Sequence, residues 1–221
     1  MKKISLSVES LSKVFNRRII FENVAFSLME RQSMAITGKN GSGKSTLAKI
    51  VCGLLSPSTG RIVCTIDGAE IDPARIYQHV GLVSPYIMMY EEFSGLENLV
   101  VISRIRNLRG RSKGEAEQLL KTFGIYERCN DEVRTYSSGM KQRLKYAAAL
   151  LHHPEILVLD EPSANLDEEG IGVVRSIMRA QCENGMLIIA TNDKEDLEFT
   201  SSCIDLDRNR INVGQAMASL R

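Results

Sequence analysis

Eight consecutive residues decide most of what this chain can fold into. Gly38-Lys39-Asn40-Gly41-Ser42-Gly43-Lys44-Ser45 fits the pattern G-x-x-x-x-G-K-[ST] without a gap. Met34-Ala35-Ile36-Thr37 in front of it reads as a short apolar strand. Behind it, Leu47, Ile50, Val51 and Leu54 recur at helical spacing until the turn signal Ser56-Pro57-Ser58-Thr59-Gly60. A glycine-rich turn between strand and helix lets backbone N–H groups converge on phosphate oxygens, where the helix N-terminus adds partial positive charge. In this pattern Lys44 reaches the β- and γ-phosphates and the Ser45 hydroxyl ligates Mg²⁺. A glycine-rich turn with a chance lysine is the plainer alternative, and the flanking strand and helix count against it. The segment implies a nucleoside triphosphate site.

Such a site needs an acidic residue at the end of a buried strand. Ile156-Leu157-Val158-Leu159-Asp160-Glu161 supplies one. Asp160 is placed to hold the Mg²⁺ shell and Glu161 to polarise an attacking water. Two carboxylates that merely cap a strand are the structural alternative, weakened by the phosphate loop upstream.

Strand and helix signals alternate on both sides of a helical block. Ile4–Val8 and Val24–Leu28 alternate as half-exposed antiparallel strands, and Arg61–Ile66 and Val80–Val83 read as further strands. From about Ser94 to Leu151 the pattern is helical, over 96–108, 113–123 and 139–151. Strands return at Ile156–Leu159, Leu187–Ala190 and 204–206, with a helix over 167–181. This order predicts an α/β fold: a P-loop NTPase core with a mainly parallel sheet, an antiparallel β subdomain and an inserted α-helical subdomain. The expected division is one domain over 1–221, with residues 1–85 and 152–221 as nucleotide-binding core and 86–151 as the insertion.

Composition narrows the function classes. The 221 residues carry 28 Lys+Arg against 27 Asp+Glu, a net charge of +1, which argues against a dedicated nucleic-acid binder. The five cysteines are odd in number and form no C-x-x-C pair, so neither a disulfide framework nor a zinc site is indicated. Met1-Lys2-Lys3 leads into Ser5, Ser7 and Glu9 rather than an apolar core, unlike a signal peptide. No apolar run approaches the roughly 18 residues of a spanning helix, so a membrane role is expected to come through a partner.

With these motifs in order, the sequence resembles the ATP-binding cassette (ABC) ATPases over essentially its whole length. Tyr136-Ser137-Ser138-Gly139-Met140-Lys141-Gln142-Arg143-Leu144 looks like the signature segment of that family, and Ser163-Ala164-Asn165-Leu166-Asp167 looks like its D-loop. Phe15 sits where the family places an aromatic that stacks on adenine. The resemblance implies ATP and Mg²⁺ as ligands, with Phe15, Gly38 to Ser45 and Thr46 binding nucleotide and Ser45 and Asp160 holding the metal. It implies a second cassette, in a homo- or heterodimer, whose Ser137, Ser138, Gly139 and Met140 face the γ-phosphate across the interface, with Asn165 and Asp167 in the D-loop. A polytopic membrane permease and a peripheral position at the cytoplasmic face of the membrane complete that picture. The short C-terminus and Ser-Gly-Met-Lys-Gln-Arg run look more like simple exporter cassettes than sugar or amino-acid importers. A soluble single-cassette protein of the cluster-assembly scaffold type is one alternative, and a slowly hydrolysing ATP-gated dimerisation switch is the other.

Three departures bear on mechanism. Ser138 and Met140 replace a glycine and a glutamine of the usual signature. Pro85 falls where the family has its Q-loop glutamine. Asn192 stands where the H-loop histidine is expected, so the catalytic pair is read as Glu161 with Asn192, and slow hydrolysis is expected. Arg104, Arg106, Arg109, Arg111 and Lys113 read first as a solvated basic loop between helices, with contact to anionic lipid headgroups or a partner's acidic loop as the alternative. Met88 and Met89 read as ordinary packing residues, with contact to a partner's coupling helix as the alternative, and His152 and His153 are assigned no chemistry.

Overall fold

The computed structural model describes residues 2–108, 113–208 and 210–213. Two long strands, β1 (Ile4–Phe15) and β2 (Arg18–Met29), open the chain as an antiparallel hairpin. Its two-residue turn, Asn16-Arg17, has φ of 47° and 65°, the positive-φ pair that matches the twist of a tight hairpin. Next come β3 (Ser33–Thr37), α1 (Lys44–Val51), β4 (Thr59–Ile66), β5 (Ala69–Ile71) and β6 (Val80–Val83). Three helices follow: α2 (Gly95–Ile105), α3 (Lys113–Thr122) and α4 (Ser138–Leu150). The described chain closes with β7 (Ile156–Asp160), α5 (Glu168–Asn184), β8 (Met186–Ala190), α6 (Lys194–Leu197), β9 (Ser202–Asp205) and β10 (Arg210–Val213).

Two sheets result. One is antiparallel in the order β2-β1-β4-β5. The other runs β10-β9-β3-β8-β7-β6 and is parallel except for β10, which pairs antiparallel with β9. The expected combination of a mainly parallel sheet, an antiparallel sheet and a helical block between β6 and β7 is present. Sequence periodicity located the parallel strands and the longer helices within a few residues, but it ended β1 at Val8 rather than Phe15 and began β2 at Val24 rather than Arg18. It passed over β5, α6 and β10, each of three or four residues.

The parallel sheet is covered on both faces, as its near-continuous apolar strands require. Along β7, Ile156 and Val158 join the core formed with α1 and the antiparallel sheet, while Leu157 and Leu159 join the core of the helical block. Met186, Ile188 and Ala190 of β8 divide from Leu187 and Ile189 in the same way. The helical block leans on the sheet where α4 crosses β6. A Cβ at Gly81 would lie 2.6 Å from the Ala149 carbonyl oxygen, so glycine permits that approach.

Helix starts are set by side chains that satisfy first-turn amides. Ser94 and Glu97 form a reciprocal capping box at α2, Ser137 accepts from the Met140 amide at α4, and Asp167 accepts from the Gly170 amide at α5. The basic run is not uniformly solvated. Arg106 donates from Nη1 to the Tyr77 carbonyl at 3.0 Å and lies 3.1 Å from His152 Nε2, and burial lowers its pKa, so it braces the core. Arg109 and Arg111 lie outside the described residues. The five cysteines are free, and four of them are buried. No described helix is long and apolar enough to cross a membrane.

Candidate functional site

The phosphate loop leaves β3 at Thr37 and enters α1 at Lys44. Gly38, Gly41 and Gly43 have φ of 142°, 84° and 102°, in the region open chiefly to glycine. Gly43 is required twice over, because a Cβ there would lie 2.5 Å from Ile20 Cγ2 of the neighbouring β2. Helix α1 has no side-chain cap and no acidic residue in its first turn. Its N-terminal amides are therefore open to an external anion. Within the loop, buried Ser42 Oγ has no hydrogen-bond partner. Lys44 Nζ folds back onto the carbonyls of Gly38 at 2.7 Å and Lys39 at 3.4 Å. An orphaned hydroxyl, open helix amides and a tethered ammonium fit a polyphosphate.

Strand β7 delivers Asp160 to the foot of this loop. Ser45 Oγ donates to Asp160 Oδ1 at 3.1 Å. Hydroxyl and carboxylate are hard oxygen donors of the kind Mg²⁺ prefers, and two of them leave the rest of its shell to water and phosphate. Among the described residues no cluster of three or more His, Cys, Asp or Glu forms a metal cage. The residues fit a cation that shares its shell with a bound phosphate.

Glu161 follows directly, with φ of 53° and its amide donating to the Ala190 carbonyl of β8 at 2.9 Å. Burial pushes its carboxyl above the usual range, Lys44 pulls it back, and Asp160, Asp196 and Asp193 push it up further. A carboxylate raised in this way is a better proton acceptor near neutral pH.

These parts share a cleft of about 390 Å³. Of the sequence-predicted residues, Phe15, Asn40, Gly41, Gly43, Lys44, Ser45, Thr46, Asp160 and Glu161 line it. Ile20 and Tyr86 line it as well, and neither stood out in the sequence. Pro85 also lines the cleft, so the glutamine position does reach the site even though its side chain offers no donor or acceptor. Phe15 is exposed on one side and has Lys13 Nζ 4.6 Å from its ring centroid, a cation–π contact.

Asn192 stands at the mouth of the loop, and its Oδ1 accepts from the Gly38 amide at 3.3 Å. Behind it, buried Asp196 accepts from Ser163 Oγ and from Thr191 Oγ1, each at 2.9 Å. The strand end carrying Asn192 is thereby tied to the turn after Glu161. That bridge joins residues more than thirty apart in sequence, and no local pattern marks it.

Ser137, Ser138, Gly139 and Met140 do not line the cleft. They form the N-terminus of α4, joined to the Asn165–Asp167 turn through Arg143. Arg143 Nη2 contacts Asp167 Oδ1 at 2.5 Å and Nη1 donates to the Phe123 carbonyl at 3.1 Å. Arg143, with the Gly170 amide, holds the Asp167 carboxyl below its ordinary range. Ser137 and Ser138 at this helix start are exposed, and Gly139 and Met140 are half-buried.

Comparisons with known proteins agree with this geometry. A family model described as ABC transporter matches residues 21–164. The linearmycin resistance ATP-binding protein LnrL of Bacillus subtilis is 33% identical over 198 residues, covering 88% of this chain and 63% of LnrL. The arginine transport ATP-binding protein ArtM of Bacillus subtilis is 31% identical over 196 residues, covering 85% of this chain and 81% of ArtM. A solved structure of the ATP-binding subunit of an ABC transporter superposes with a TM-score of 0.80 at 26% identity, covering 94% of this chain and 89% of that one. The matched span takes in β3, the phosphate loop, the α4 signature segment and the Asp160–Glu161 corner together, and the chain belongs to the ABC transporter family.

Proposed function

We propose that the protein binds Mg–ATP, hydrolyses it to ADP and phosphate, and does so as one of two head-to-tail cassettes that drive a separate membrane-spanning permease. The observation that carries this reading is the corner where Ser45 and Asp160 meet at 3.1 Å beside a Glu161 whose carboxyl burial has raised. In this reading Phe15 stacks on the adenine, while the loop amides and Lys44 hold the phosphates. Ser45 and Asp160 would hold Mg²⁺, which when bound neutralises phosphate charge. Glu161 orients a water and takes its proton, and the buried setting favours that uptake. Asn192 supplies an amide whose oxygen already serves Gly38 and which accepts no proton, so basal turnover is slow.

A permease contact is supported by an apolar groove of about 370 Å³ between α2, α4 and the loop after β6. Met88 and Ile105 on its rim are 77% and 70% exposed. The resistance role in the name of LnrL favours export as the direction. The experiment is Glu161→Gln, which keeps shape and removes the base. A positioned base contributes roughly 10²–10⁴-fold, so phosphate release should collapse while ATP stays bound and an ATP-dependent dimer accumulates on gel filtration. Turnover at the unmutated rate would assign water activation to another group.

A further inference from the structure

Asp160 has two carboxylate oxygens, and each receives a hydroxyl. Ser45 Oγ donates to Oδ1 at 3.1 Å, and Ser84 Oγ donates to Oδ2 at 3.0 Å. Ser84 follows β6 directly and is 2% exposed. The Tyr86 amide donates to Ser84 Oγ at 3.4 Å, so the hydroxyl proton is left for Asp160. Its carbonyl is held from the other side: Lys145 Nζ of α4 donates to the Ser84 oxygen at 3.4 Å and to the Pro85 oxygen at 3.2 Å. The serine is therefore fixed through backbone and side chain, and the Asp160 carboxylate through both oxygens.

We infer that Ser84 is a positioning residue of the cation corner, setting the rotation of the Asp160 carboxylate so that Oδ1 stays beside Ser45. The terminal torsion of an aspartate is broad and soft, and a carboxylate anchored at one oxygen swings about it. The second anchor removes that freedom before any cation arrives. The role lies one shell out, because Ser84 acts on the cation only through Asp160. Removing such an outer partner typically weakens metal affinity about 10–100-fold. The inference rests on the Mg–ATP reading proposed above.

The test reads metal affinity, using Mn²⁺ as the probe by electron paramagnetic resonance, with the full chain saturated by a non-hydrolysable ATP analogue. Ser84→Ala should weaken Mn²⁺ binding by about tenfold or more, while analogue affinity in EDTA stays unchanged. Ser84→Thr, which restores the hydroxyl, should recover most of the Mn²⁺ affinity. If Ser84→Ala does not fold, Ser84→Cys gives the same comparison with a weaker donor. Mn²⁺ affinity within twofold of the unmutated protein would overturn the role of Ser84, as would an equal loss of analogue affinity in EDTA. An unmutated protein that takes up no Mn²⁺ with the analogue would refute the Mg–ATP reading itself, and the role of Ser84 with it.

Discussion

Tyr146→Phe removes a single oxygen from the middle of α4, and its cost can be worked out. Tyr146 is fully buried, its ring stacked on Phe123 with centroids 5.8 Å apart, and its hydroxyl donates to the Pro162 carbonyl at 2.8 Å. Phenylalanine keeps the ring and the packing. What it leaves is a buried carbonyl without its donor, a loss of about 1–3 kcal/mol. Taking that range and the roughly 2–4 °C per kcal/mol of a domain this size gives a melting temperature lower by roughly 2–12 °C. Pro162 directly follows Glu161, so the same bond restrains the turn that aims the proposed base. Turnover should fall as well, by less than the roughly 10²-fold that a 1 Å misplacement can cost. Thermal melts followed by circular dichroism, and phosphate release at saturating Mg–ATP, measure the two effects. A variant within about 0.5 kcal/mol of the parent, the range of an ordinary surface change, with unchanged turnover would refute the reasoning.

Three further outcomes are expected. Lys44→Ala removes the ammonium tethered to Gly38 and Lys39, and calorimetry should then show no ATP binding; unchanged affinity would detach this loop from the nucleotide. Asn192→Ala frees the Gly38 amide and should slow hydrolysis further, whereas Asn192→His should raise it by up to the roughly 10²–10³-fold of a well-placed transition-state group; an alanine variant matching the parent would make Asn192 a bystander. Asp196 is raised by burial, against the pull of Ser163 and Thr191, so the folded state holds its proton more tightly than the unfolded one. Stability of the parent should therefore decline relative to Asp196→Asn as pH climbs from the ordinary aspartate range through the folded value, and urea-denaturation profiles that stay parallel would contradict this.

The readable parts of the site are those whose geometry is local. The phosphate loop needs only glycine spacing between one strand and one helix, and Asp160 needs only a place at the end of four apolar residues. Ser84 was unreadable because its meaning lies 76 residues away at Asp160. Asp196 and Tyr86 are of the same kind, since each acquires its neighbours only when the strand ends converge. Arg106 shows the opposite error. A run of basic residues suggested a solvated loop, yet chain folding turned this one inward onto Tyr77 and His152. Short elements such as β5 and α6 were missed because three or four residues do not establish a period.

The alternation along β7 limits how this part of the chain can change in length. Odd and even positions serve different cores, and the strand ends on Asp160. Deleting or inserting one residue between Ile156 and Leu159 would exchange the two apolar sets, since side chains alternate faces with period two. It would also slide the carboxylate out of reach of both hydroxyls. Substitutions of similar size remain open to this strand, but indels do not. Lineage variation in length should instead collect in surface connections such as residues 53–58 between α1 and β4, which are exposed or half-buried and where no register binds one side of the sheet to the other.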